Sequence, residues 1–220
     1  MTDVAPNAPA RPAALGRVRE IFFSSPVVGL ASFLLLVILL VAILAPWLTP
    51  HDPTRLSPGA RLQAPSDEFW LGTDAFGRDL FSRIVYGARI SLIVGVGAAI
   101  FATFAGLALG LVAGFIRGVD AVVMRIVDGL MAIPNILLAI AIVALSGASI
   151  WTVLVAITIP EVPRVVRLVR SVVLSAREEP YVEAAIAAGS STWRILGRHL
   201  LPNTVAPLIV QGTYICASAI

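Results

Sequence analysis

The sequence predicts an all-α polytopic membrane protein, and three observations carry that prediction. Of 220 residues 58% are hydrophobic and only 13% charged, roughly half the charged fraction of an ordinary soluble domain. The apolar residues fall in long charge-free runs, and the charges gather in the segments between them. Mean hydropathy is +0.93. The single cysteine, Cys216, excludes an internal disulfide, and two histidines, His51 and His199, are too few for a Cys/His metal framework. All 16 basic residues are arginine, which removes a P-loop lysine and Schiff-base chemistry. An ATP-consuming function would therefore need a nucleotide site on another chain. The net charge of +3 does not point to nucleic acid, because the arginines flank apolar runs instead of forming one solvated patch.

Residues 1–24 begin with a Pro- and Ala-rich stretch bearing Arg11, Arg17 and Arg19, and read as a disordered tail. Residues 25–48 follow as a first span. The charge-free run Val27–Leu48 is 22 residues long, beyond the roughly 7 to 15 of a signal-peptide core, so a retained span is preferred. Pro46, Trp47 and Pro50 are expected to close it. Residues 49–89 carry five arginines and five acids and read as an extramembrane loop. From Thr73 onward, Leu80, Phe81, Ile84, Val85 and Ala88 recur at helical spacing, predicting an interfacial amphipathic helix with Asp74 at its start.

Residues 90–220 make the remaining core, with spans expected at about 90–116, 125–146, 150–168 and 204–220. In the first of these Gly106, Gly110 and Gly114 form a tandem GxxxG, which lets another helix backbone approach closely. The 31 charge-free residues Gly129–Ile159 are split at the turn signal Ser146–Ser149. Pro134 and Pro160 are expected to kink their helices. Asp128 and Arg125 read as a local salt bridge. The run from Thr204 is shorter than the roughly 20 residues of a full span, so the chain is expected to be truncated in its fifth span. The arginine-rich segment 161–203 reads as cytoplasmic, and four spans before it place the N-terminus on that side too.

Within 171–203, Pro180 opens a helix of small residues, Gly189 turns the chain, and an amphipathic arm from Thr192 ends at Pro202. Glu183, Ala184 and Ala185 are followed at fixed distances by Gly189, His199, Leu201 and Pro202. This resembles the EAA motif of bacterial ABC importer permeases, with His199 as in their peptide and nickel branch. Independently, Gly72, Thr73, Asp74, Gly77, Arg78, Asp79, Ser82, Arg83, Gly87 and Arg89 are similar to the segment joining the first two spans in the second permease subunit of dipeptide and oligopeptide importers, the DppC or OppC kind. Glu161-Val162 departs from that family's pattern.

The resemblance implies a type I permease with a MetI-like core and an extra N-terminal span in the bacterial inner membrane. It forms half of a pore, for dipeptides or oligopeptides or alternatively nickel, an opine or glutathione. The implied partners are a second permease (DppB/OppB-like), two ATPase subunits that bind ATP and Mg, and a periplasmic or lipid-anchored substrate-binding protein. The chain itself is expected to be no enzyme and to bind no cofactor or metal. Readings of another class are an ion-coupled secondary transporter, which would need central acids in the spans, and a non-transporting scaffold. An intramembrane hydrolase would need a nucleophile and base together, and neither histidine has a plausible partner in sequence.

Overall fold

The computed structural model describes residues 25–220, so the expected tail at 1–24 lies outside the described residues. They fall into two compact units divided between Arg89 and Ile90.

The first unit starts with α1, Pro26–Leu48. Proline suits the first turn because the missing N–H has no intrahelical acceptor there. Pro46 does not close this helix: it lies inside α1, and the Thr49 amide and hydroxyl close the end by donating to the Ala45 carbonyl at 3.2 and 2.9 Å. Leu34, Leu35 and Leu36 are each more than half exposed, an apolar surface suited to hydrocarbon. The chain then folds as an irregular loop with one 3₁₀ turn, Pro58–Ala60. An interfacial helix separate from the next span does not form. One continuous helix, α2, runs 36 residues from Leu80 to Phe115, because no proline or turn signal interrupts the sequence between them. At 1.5 Å per residue it is about 54 Å long, well beyond a hydrocarbon core of about 30 Å.

The second unit contains the rest of α2 and the helices that follow. α3 (Arg117–Met131) and α4 (Asn135–Ser146) meet at a bend of 85°. The span expected at 125–146 is thus bent at Pro134, where a kink is expected, and the bend is sharp enough to break the helix. Pro134 cannot continue α3 and disfavours helical geometry in the residue before it. α5 (Ile150–Ala176) starts on Ser149, whose hydroxyl accepts from the Thr152 amide at 3.1 Å. It runs uninterrupted through Pro160 and Pro163 and beyond the expected end at residue 168. α6 (Pro180–Ala187) and α7 (Thr192–Ile195) form the following loop.

The second arm does not end at Pro202. A π turn, Leu196–Leu200, leads directly into α8, Leu201–Ala219, with Pro202 in its first turn. Together these give 28 helical residues from Thr192 to Ala219, a continuous helix in which the arm from Thr192 and the apolar run from Thr204 are joined. The core joins Ala98 and Ala102 of α2, Val165, Val169 and Val173 of α5, and Leu208 and Ile215 of α8.

By length and composition α1, α2 and the Thr192–Ala219 helix are apolar enough to cross a membrane, and the bent α3–α4 pair makes a fourth candidate. α5 is long enough but carries Glu161, Arg164 and Arg167 in its middle.

Candidate functional site

The stripe Gly106, Gly110 and Gly114 faces α5. A Cβ on Gly110 would stand 2.7 Å from Val169 Cβ, and one on Gly114 would stand 2.7 Å from Val173 Cβ. A Cβ at Gly106 would meet Val165. Helices approach this closely only where one of them lacks side chains. α3 is tied to the same face of the bundle by two ion pairs: Arg170 donates from both Nε and Nη2 to Asp120, the latter at 2.7 Å, and Arg167 donates to Asp128 at 2.6 Å. The expected Arg125–Asp128 bridge is therefore replaced by an interhelical pair, since Asp128 points to α5 while Arg125 is exposed.

The loop before α2 is organised by its motif residues. Gly72 and Gly77 both have φ +74°, a conformation that costs other residues strain. A Cβ on Gly77 would also collide with the Ser57 backbone, lying 2.6 Å from its carbonyl carbon. Thr73 is 4% exposed. Its hydroxyl donates to the Ala60 carbonyl and accepts from the Gln63 amide at 2.9 Å, stitching the two sides of the loop. Asp74 accepts from the amides of Phe76 and Arg78 at 2.8 and 3.0 Å, from Arg78 Nε at 2.8 Å, and from Arg83. Desolvation pushes its carboxyl up, but these donors outweigh it and hold the group down at about 2.

Asp79, not Asp74, caps α2: it accepts from the Ser82 amide and hydroxyl at 3.1 and 2.6 Å and from the Phe81 amide at 3.3 Å. Gly87 and Arg89 lie further along α2, with open space where a Gly87 Cβ would stand. His51 was not recognisable in sequence as part of this site. Its ring stacks on Phe69 at 5.0 Å, and Nδ1 lies 3.7 Å from Asp79.

The loop after α5 is built differently. Pro180 opens α6, and Val182, 0% exposed, anchors it in the core. Gly189, at φ +75°, closes it: its amide donates to the Ile186 carbonyl at 2.9 Å and the Ser190 amide to the Ala185 carbonyl at 3.0 Å. This is the Schellman arrangement, for which glycine is the favoured residue. The glycine is thus required by its backbone, and beyond its immediate chain neighbours no atom of the described residues lies within 4 Å of its Cβ position. Ala184 and Glu183 are exposed and Ala185 is half-buried. Glu183 sits in the first turn of α6, where the helix dipole favours an acid, and forms no ion pair among the described residues. His199 lies 6.1 Å from the Tyr181 ring, and Asn203 Nδ2 donates to Tyr181 Oη at 2.9 Å and to the His199 carbonyl at 2.7 Å. Leu201 and Pro202 begin α8. Tyr181 and Asn203 were missed in sequence because their pairing spans 22 positions.

Two family models match parts of the chain. Residues 106–220 match the family of binding-protein-dependent transport system inner membrane components. Residues 15–65 match the N-terminal TM domain of oligopeptide transport permease C. The probable peptide ABC transporter permease protein y4tQ of Sinorhizobium fredii is 53% identical over 195 residues, 89% of this chain and 67% of that protein. The dipeptide transport system permease protein DppC of Alkalihalophilus pseudofirmus is 52% identical over 80% of this chain and 58% of its own length. The glutathione transport system permease protein GsiD of Pectobacterium atrosepticum is 40% identical over 86% and 64%. The chain thus spans from 58% to 67% of these relatives' length. With a family match over more than half of its residues and a relative 53% identical over most of it, this multi-pass membrane chain belongs to the binding-protein-dependent transport system inner membrane components.

Proposed function

We propose that the protein is a permease subunit of an ATP-driven importer, one half of a transmembrane pore that carries dipeptides or oligopeptides. Partner ATPase subunits bind and hydrolyse ATP, a second permease completes the pore, and an external binding protein delivers cargo. The loop from Arg177 to Asn203 faces the cytoplasm and receives the ATPase, the N-terminus lies on the same side, and the loop at 49–79 lies on the opposite side. The chain is not itself an enzyme and needs no cofactor of its own.

One observation carries this reading: α6 is fixed by the buried Val182 and closed by Gly189, yet Glu183 stands exposed. An anchored helix with a free acid and small neighbours suits docking of a cation-bearing protein surface. Peptide cargo is favoured by the names of the y4tQ and DppC relatives, and the GsiD relative makes glutathione the second reading. Motion of the docked ATPases would move this loop as a lever on α5 and α8 and switch the pore between its two faces.

The test is recovery of the full-length protein from membranes, wild type against Glu183→Lys. A P-loop ATPase and a second permease should accompany the wild type, and the ATPase should be lost from the variant. Wild-type protein recovered without any ATPase would refute the importer reading.

A further inference from the structure

α5 combines two faces that an ordinary lipid-facing helix does not. Val165, Val166, Val169 and Val173 are wholly buried, against the glycine stripe of α2. On another face Arg164 projects with its side chain 39% exposed. Ser171 and Ser175 follow about two and three helical turns later in nearly the same angular position. Both serines are exposed. They line a cleft of about 550 Å³ together with Glu179, Tyr181 and Asn203. A stripe of one arginine and two hydroxyls, of which only the serine end reaches that cleft, is costly against hydrocarbon and stable against water.

Arg164 also differs from the other two arginines of this helix. Arg167 and Arg170 are rotated away from it by about 60° and 120° and are taken up by Asp128 and Asp120 of α3. Among the described residues Arg164 has a single side-chain bond, from Nη1 to Glu161 Oε1 at 2.9 Å. A guanidinium carries five N–H donors, so most of them remain for a ligand. Glu161 behind it is 91% buried, with a side-chain exposure of 9%, and its Oε2 has no hydrogen-bond partner. The pair is therefore not a closed bidentate bridge. Its acid is sunk into the bundle as a tether, and its cation is presented at the surface.

Resting on the importer reading above, we propose that the α5 stripe Arg164–Ser171–Ser175 lines the cargo path, with Arg164 receiving a carboxylate of the cargo and Glu161 positioning it. A free peptide carboxylate matches the planar fork of donors that a guanidinium offers. The serine hydroxyls each donate to their own helix, to the Leu168 and Ser171 carbonyls. Their lone pairs and the cleft beyond then face water along the route.

The test uses the full-length permease assembled with its partners, with Cys216→Ser and single substitutions Ser171→Cys, Ser175→Cys or Val155→Cys. Val155 is exposed, about 180° around α5 from Arg164, and is the control outside the proposed path. A charged, membrane-impermeant methanethiosulfonate should label the two serine positions at least about tenfold faster than position 155, as the low permeability of hydrocarbon to charge requires. Alanyl-alanine should slow the labelling of Ser171→Cys, and its C-terminal amide should not. Arg164→Gln should abolish that protection and Arg164→Lys retain part of it. Labelling no faster than at position 155 overturns the path. Equal protection by acid and amide, or protection that survives Arg164→Gln, overturns the carboxylate assignment. If Arg164→Gln fails to assemble, the labelling rates and the acid–amide comparison still decide both points. Absence of the ATPase from the wild-type preparation would instead indict the importer reading itself.

Discussion

The two motif regions, the loop before α2 and the loop after α5, use their distinctive residues in opposite ways. In the first, Thr73, Asp79 and Ser82 are at most 4% exposed, and Asp74 binds two amides and two guanidinium groups. Nearly every polar group of that motif is satisfied within the chain. In the second, the buried Val182 and the backbone of Gly189 hold the helix, while Glu183 is left exposed. Similar density of motif residues therefore signals two things, a self-contained scaffold in one loop and a surface reserved for another molecule in the other.

That contrast is sharpest at the glycines. Gly77→Ala must accept both a positive φ and a collision with the Ser57 backbone, so we expect a loss on the order of 3 kcal/mol, read as a lowered thermal midpoint in detergent. Asp79→Ala leaves the Ser82 and Phe81 amides at the start of α2 uncapped and should cost about 1–2 kcal/mol by the same measurement. Gly189→Ala meets open space and suffers only the φ penalty, about 1 kcal/mol. A larger loss at Gly189 than at Gly77 would break the contrast.

Glu183→Lys should lower stability by no more than about 1 kcal/mol, the scale of the helix-dipole interaction it reverses, while removing the ATPase from the recovered complex. A larger loss would mean that Glu183 serves its own fold as the first motif does.

Acid provides a further separation. Asp74 is held at about 2 against an ordinary value of 3.8. A depressed carboxyl contributes its full stabilisation above the ordinary value and loses it as the pH falls through the lowered one. Between 3.8 and 2 the wild type should therefore lose midpoint in a way that Asp74→Asn does not. An identical acid response in both would remove Asp74 from the scaffold.

Much of this was legible in the chain. The spacing of Glu183, Gly189, Leu201 and Pro202 and the run from Gly72 to Arg83 pointed to the family, and long apolar runs pointed to membrane helices, because hydrocarbon tolerates few alternatives. The helix boundaries were less legible. Asp74 and Asp79 are both good caps, and only the fold around Thr73 decided that Asp79 takes that role. Pro202 and Pro46 looked like stops, yet a proline ends a helix only when the neighbouring carbonyls find no other arrangement, and a π turn and a continuing helix supplied one.

By itself, then, the sequence determined that the chain is membrane-embedded, helical and without lysine, since charge-free runs and composition act locally and need no partner to be read. The tertiary structure alone decided that Asp120 and Asp128 belong to Arg170 and Arg167, that the glycine stripe meets the valines of α5, and that Arg164 stands apart from its neighbours on the same helix. The two ion pairs join positions 39 and 50 residues apart, and short-range periodicity carries no information about which distant side chain will lie within reach of a charge.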